Sequence, residues 1–370
     1  MNQVQHVKPR IPPRFCRLRP LQDEDRMISP SPPIPHLSDN SQDDYLYTLE
    51  DRRKHQHQAA ARSQWTNHEG LGGLGGWDVN TRMGWLTTAG VLALVVPSLY
   101  MYTASIVSTR FPALRNKRIC ILIAHPDDEA MFFSPAVMAL TRPGTGNHVK
   151  ILCLSSGNAD GLGETRKKEL AKSGVILGLR KPDDVFVVDK PEFPDSMTAT
   201  WDKAAIASLL RSAFAPNLAR ARSSNTPPTA SIDVLITFDD GGVSSHPNHI
   251  SLYHGAKAFV EDLVAGKPGW ESPIDLYTLT TVPFVRKYTG IFDTLPTLLS
   301  WAVGAEKKDK KHPGGLVFLS GLGGQGSVTT AWKAMRQGHK SQMVWFRYGW
   351  ITLSRYMYIN DLRLVKIRRE

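Results

Sequence analysis

The chain has 370 residues, enough for one large domain or two average ones. Its formal net charge is +11, almost all of it beyond residue 82, which suits an anionic membrane surface or a phosphate-bearing substrate. No RNP-like, zinc-finger or basic-zipper pattern accompanies the charge, so nucleic acid is the weakest choice of partner.

Residues 1–82 read as a disordered tail. They include the proline-rich run SPSPPIP at 29–35, a polar run at 38–44 and a glycine-rich run at 70–76. Such stretches bury too little apolar surface to offset the entropy of ordering. The tail is too long and too polar for a signal peptide.

Residues 83–107 carry no charged side chain. As a helix they would extend about 37 Å at ~1.5 Å per residue, against a hydrocarbon layer of roughly 30 Å. The expectation is one transmembrane helix, tolerant of Pro97; the alternative is a long buried helix. Arg110, Arg115, Lys117 and Arg118 follow the segment, and only Arg82 immediately precedes it. The positive-inside rule then places the domain at 108–370 in the cytoplasm.

From residue 118 onward apolar runs alternate with helical patterns. The runs at 119–124, 149–154, 185–188, 234–238 and 276–280 read as buried parallel strands. Helices are predicted over 129–140, 164–179, 200–213 and 249–264. This alternation predicts an α/β fold with an open, mostly parallel Rossmann-like sheet and helices on both faces. Cys120 and Cys153 fall inside strand-like runs, and with Cys16 they form no CxxC pair, so buried free thiols in a reducing compartment are expected.

In such sheets ligands bind at the carboxyl ends of the strands. The first strand runs into His125-Pro126-Asp127-Asp128-Glu129, and the fourth into 239–243 followed by Ser244, Ser245, His246-Pro247-Asn248-His249. His and Asp groups converging from two strand ends are the donor set of a catalytic zinc site. Taken alone the spacing is weakly specific: Asp127 or Asp128 would equally serve as a helix cap, as would Asn248.

His125-Pro126-Asp127-Asp128-Glu129 together with His246-Pro247-Asn248-His249 resembles the paired motif of the LmbE-like (PIG-L) zinc deacetylases, open-sheet α/β enzymes that remove acyl groups from amino sugars. The resemblance runs from about Lys117 to the C-terminus. The strings at 157–163 (GNADGLG), 166–170 (RKKEL), 286–288 (RKY) and 341–347 (SQMVWFR) are similar to the eukaryotic branch, which acts on the glycolipid N-acetylglucosaminyl-phosphatidylinositol at the endoplasmic-reticulum membrane. The membrane segment fits that branch; the long tail does not.

The resemblance implies His125, Asp128 and His249 as ligands of Zn2+ or another divalent cation; Fe2+ would suit the same donors. It implies Asp127 as general base and His246 as donor to the developing oxyanion. Asn248 stands where many soluble relatives carry Asp, so His246 is expected to hold a full positive charge less readily. Arg166 is read as a contact to sugar or substrate phosphate, or else as an exposed helix charge. Asp195 is read as a contact to sugar hydroxyls, or else as a plain turn residue.

The apolar but interrupted segments 284–304 and 343–359 are read as either interfacial elements or ordinary helices, which makes 284–370 a membrane-associated part. The charged run 306–312 reads as a solvated loop. Two other functions compete with the glycolipid deacetylase: a membrane-tethered deacetylase of another amino-sugar conjugate, and a non-catalytic membrane scaffold. The intact His and Asp set speaks against the scaffold.

Overall fold

The computed structural model describes residues 79–267, 269–303 and 312–367. The tail expected over 1–82 lies outside them except for its last four residues, as does nearly all of the charged run at 306–312.

Seven strands form a single sheet in the order β3-β2-β1-β4-β5-β7-β6. They are β1 (Arg118–Ile123), β2 (His148–Cys153), β3 (Val185–Val187), β4 (Val234–Phe238), β5 (Asp275–Leu279), β6 (Gly315–Leu319) and β7 (Ile359–Leu364). β1 to β5 pair in parallel. β7 runs antiparallel to both neighbours, so β6 is again parallel to β1 and β4. The mostly parallel α/β sheet expected from the apolar runs is present, with two C-terminal strands that the sequence reading did not include.

β1 and β4 are central, and β4 is buried along its whole length. That burial on both faces is why RICILI and VLITF read as unbroken apolar runs instead of alternating ones. Helices lie on both faces. α4 (Gly163–Ile176) packs Gly174 against Val185, whereas α5 (Lys203–Phe214) lies over the face that carries Phe186 and Leu152. Neighbouring positions of a strand point to opposite faces, so Val185 and Phe186 mark the two layers. Asp202 caps α5 by accepting the N–H groups of Ala204 and Ala205. α6 (Pro247–Val264) begins with proline at its first turn, where the missing N–H has no helical partner to lose.

The helix expected over 129–140 is two helices, α2 (Asp128–Met131) and α3 (Ser134–Leu140). Pro135 in the first turn of α3 fits a restart there and not a continuous helix. Cys120 and Cys153 are buried free thiols, and burial pushes the Cys120 thiol up to about 12.

The apolar segment forms α1 (Val79–Arg110), longer at both ends than the expected 83–107. It is the one helix among the described residues long and apolar enough to cross a membrane. Its last turns pack on the domain: Tyr100, Ala104 and Val107 are buried against Val317, Leu319 and Ile359. Later helices include α7 (Phe284–Lys287), α8 (Thr294–Val303), α9 (Val328–Lys333) and α10 (Trp345–Leu353); two short helices, Leu218–Ser223 and Gly242–Ser245, lie earlier in the chain.

Candidate metal centre at the carboxyl edge of the sheet

β1 and β4 are parallel neighbours, so the segments leaving them meet at one edge. His125 follows β1, Asp128 opens α2, and His249 sits in the first turn of α6. One donor atom from each of these three buried residues lies within 4.8 Å of the other two.

Each donor is held by its surroundings. Asp128 Oδ2 accepts the backbone N–H groups of Ala124 (3.0 Å) and His125 (2.9 Å), while Oδ1 lies 3.2 Å from His249 Nε2. Asp128 therefore braces its own loop instead of capping α2. Burial alone would raise its pKa; the His249 and His125 imidazoles, when protonated, and the hydrogen bonds outweigh burial and hold the carboxyl well below the usual range. The His249 ring stacks on Phe238 at 3.8 Å, and its Nδ1 lies 3.1 Å from the Gly242 carbonyl. That carbonyl can only accept, so Nδ1 carries the proton and Nε2 presents a lone pair. His249 Nε2 is buried and makes no hydrogen bond. A buried, unsatisfied imidazole nitrogen beside a carboxylate and a second imidazole fits a divalent cation.

A second trio, His125, Asp195 and His246, meets the same distance limit. Physical grounds favour the first. Asp195 and His246 are only partly buried, and Asp195 also lies 3.4 Å from the Arg166 guanidinium. His125 Nε2 stands 3.0 Å from Asn248 Oδ1 and 3.3 Å from Asp195, so both latter residues orient this ring.

His246, not Asn248, caps α6: its Nδ1 accepts the Asn248 N–H at 3.2 Å. The neutral His246 ring therefore carries its proton on Nε2, ready to donate. Its ring centroid lies 4.9 Å from His125 and 4.8 Å from His249. Burial, followed by those two imidazoles, pushes its pKa down to about 4. The Asn248 amide is fully engaged: besides His125, its Oδ1 accepts the Ser196 N–H (3.3 Å), and Nδ2 donates to Ala199 O (2.8 Å).

Asp127 has φ 126° and ψ −22°, an unfavourable backbone state for a residue with a Cβ. It is 5% exposed and accepts a hydrogen bond from the Arg347 guanidinium. Its N–H donates to Glu129 Oε2 (3.3 Å), and Glu129 Oε1 in turn contacts Ser173 Oγ and His339 Nε2 (2.6 Å). Arg166 is buried and is no exposed helix charge. It donates to Gly157 O (2.6 Å) and Pro126 O (3.0 Å), and lies 3.7 Å from Asp127. Gly157 has φ +66°, and a Cβ there would stand 2.3 Å from the guanidinium, so only glycine admits this brace.

Arg347, His339 and Ser173 are site neighbours that sequence reasoning did not place. Arg347 was visible as a charge inside an aromatic segment, but it points to Asp127. Nothing local marks His339, which follows a π-helical turn at Ala334–Gly338 and reaches Glu129 from the far end of the chain.

Residues 120–260 match the family PIG-L, described as GlcNAc-PI de-N-acetylase. Among curated relatives, N-acetylglucosaminyl-phosphatidylinositol de-N-acetylase of Arthroderma benhamiae is 49% identical, the match covering 68% of this chain and 88% of that protein. The protein of the same name in Bos taurus is 35% identical, covering 68% of this chain and 84% of the relative. The Saccharomyces cerevisiae protein of that name is 33% identical over 73% of this chain and 91% of its own. Among solved structures, the N,N'-diacetylchitobiose deacetylase of Pyrococcus horikoshii aligns over 70% of this chain and 90% of its own, at 17% identity and TM-score 0.39.

Proposed function

Because the chain belongs to the PIG-L family of de-N-acetylases, we propose that it hydrolyses the acetamide of N-acetylglucosaminyl-phosphatidylinositol to glucosaminyl-phosphatidylinositol and acetate. The observation that carries this reading is the unsatisfied His249 Nε2, buried beside Asp128 and His125 with Asp127 and His246 alongside. His125, Asp128 and His249 would hold the cation, taken as Zn2+ from the mixed His/Asp donors. When bound, it would acidify water and polarise the acetamide carbonyl.

The remaining chemistry belongs to side chains. Asp127 takes the proton of the attacking water, its carboxylate aimed by Arg347. His246 Nε2–H donates to the carbonyl oxygen as negative charge builds there. Asp127 then returns its proton to the departing glucosamine nitrogen. With His246 held neutral, proton transfer falls to Asp127. Arg166 and Asp195 line the approach, where they hold the strand-end loops and would meet the sugar.

The protein would act as a single-pass protein of the endoplasmic-reticulum membrane with its domain in the cytoplasm. Support comes from α1 and from the basic residues that follow it, Arg110, Arg115, Lys117 and Arg118. The test supplies the detergent-solubilised chain with the acetylated glycolipid and measures acetate. Release that falls about 10²–10⁴-fold in Asp127→Ala supports the reading. Release from a soluble N-acetylglucosaminide but not from the glycolipid would transfer the activity to another amino-sugar conjugate.

A further inference from the structure

α1 leaves the domain at the edge that carries the site. β6 is parallel to β1 and β4, so its carboxyl end lies on the same edge as His125. Tyr100 Oη donates to Ser320 O (2.7 Å), just past that end, and Leu322 N–H donates to Met101 Sδ (3.2 Å). Toward the start of β6, Phe111 meets Trp301 with ring centroids 4.2 Å apart, and Trp301 lies against Gly315. α1 therefore runs antiparallel to β6, and the turns before Tyr100 project beyond the catalytic edge. Those turns are largely exposed and rich in Leu and Val.

The same edge carries other exposed apolar groups. On α7 Phe284 and Val285, in the first turn of α8 Leu295, and on α10 Trp345 and Phe346 all face outward; Trp345 is 85% exposed. α7 and α10 flank the site. Lys287 of α7 lies 3.4 Å from Ser244, two residues before His246, and Arg347 of α10 reaches Asp127. The segment that carries α8 adjoins the base of α1, because Ile291 and Leu298 pack on the cluster that Tyr100, Ala104 and Val107 form with Val317, Leu319 and Ile359. A patch of this kind marks an interaction surface. Lys333, Arg336 and Lys340 stand exposed beside it, in an open groove with Trp332 and Tyr348. Aromatic groups and cations beside an apolar rim match the headgroup layer of a bilayer.

Length gives an independent reason. Residues 83–99, before the turns packed on the domain, supply about 25 Å of apolar helix at ~1.5 Å per residue, against roughly 30 Å of hydrocarbon. A domain whose rim sinks into the interface removes that mismatch.

We propose that the catalytic edge rests on the bilayer, with α7, the first turn of α8 and α10 sunk into the interfacial layer around the mouth of the site. A lipid-anchored acetamido sugar then reaches His125, Asp127 and His249 while its acyl chains stay in the membrane. The identity of that sugar lipid rests on the function proposed above; the docking does not.

The test uses the full chain with Cys16→Ser, in nanodiscs of phosphatidylcholine and phosphatidylserine, carrying an environment-sensitive fluorophore at Leu295→Cys, Phe346→Cys or, for comparison, Val175→Cys on α4. Nitroxides on the lipid headgroups should quench positions 295 and 346 about threefold more than position 175. Equal quenching at all three positions overturns the proposal. A Leu295→Ser, Phe346→Ser chain should show KM for bilayer-borne glycolipid raised about tenfold and unaltered turnover of the soluble headgroup glycoside. Unaltered turnover of both also overturns it. Selective quenching with acetate released from neither substrate supports the docking and sinks the assigned activity instead.

Discussion

Arg347 and Asp127 stand 220 residues apart in sequence and share a hydrogen bond at the centre of the site. The pairing turns Asp127, the candidate base, into an oriented carboxylate, and it ties α10 to the loop after β1. Arg347→Met should remove that orientation without removing a metal donor. A hydrogen bond to a charged group is worth about 1.5–3 kcal/mol, so kcat should fall by roughly 10–100-fold. Steady-state kinetics with parallel metal analysis check this. Loss of metal together with activity would assign Arg347 to the fold of the centre and not to Asp127.

The pair of Glu129 and His339 is fully buried beneath Asp127. Removing one partner of a buried pair costs about 3–5 kcal/mol, because the other is stranded. His339→Ala should therefore lower thermal stability markedly and also slow the reaction, since Glu129 holds the Asp127 backbone. Thermal melts and acetate release on the same preparation read both.

The same pair gives a pH signature. Burial would lower the His339 pKa, but the Glu129 carboxylate, with the hydrogen bond to it, carries it above its ordinary value. A histidine raised on folding contributes stability that is complete below about pH 6.5 and fades as pH climbs through the higher folded value. Melting temperature should accordingly fall on the alkaline side in the parent chain. That particular fall should be absent in His339→Gln.

Asn248 uses both ends of its amide. Asn248→Asp keeps the acceptor toward His125 and Ser196 but sets a second oxygen against the Ala199 carbonyl. The lost hydrogen bond and the repulsion should cost about 1–3 kcal/mol in a site this buried. Differential scanning calorimetry measures it, and an unchanged or raised melting temperature would show that the segment at 196–199 yields.

The central strands were legible because ICILIA and VLITF are buried on both faces and so lack alternation. β6 and β7 were not. GLVFL is too short to separate from a helix fragment, and INDLRL continues an aromatic helical segment without an obvious break. The cluster of His125, Asp127, Asp128, His246 and His249 was readable because its members flank two adjacent strand ends. The partners that orient it were not. Arg347, His339 and Ser173 arrive from segments whose placement depends on tertiary packing. The helix boundaries shifted for local reasons: Pro135 fits a restart of the helix after β1, and Pro247 starts α6 early enough for His246 to cap it.

The most direct measurement is the divalent metal content of the purified full chain and of two variants. About one ion per chain is expected in the parent protein, retained in Asp127→Ala and lost in His249→Ala. A parent chain that binds no ion, or an Asp127→Ala chain that loses it, would contradict the account.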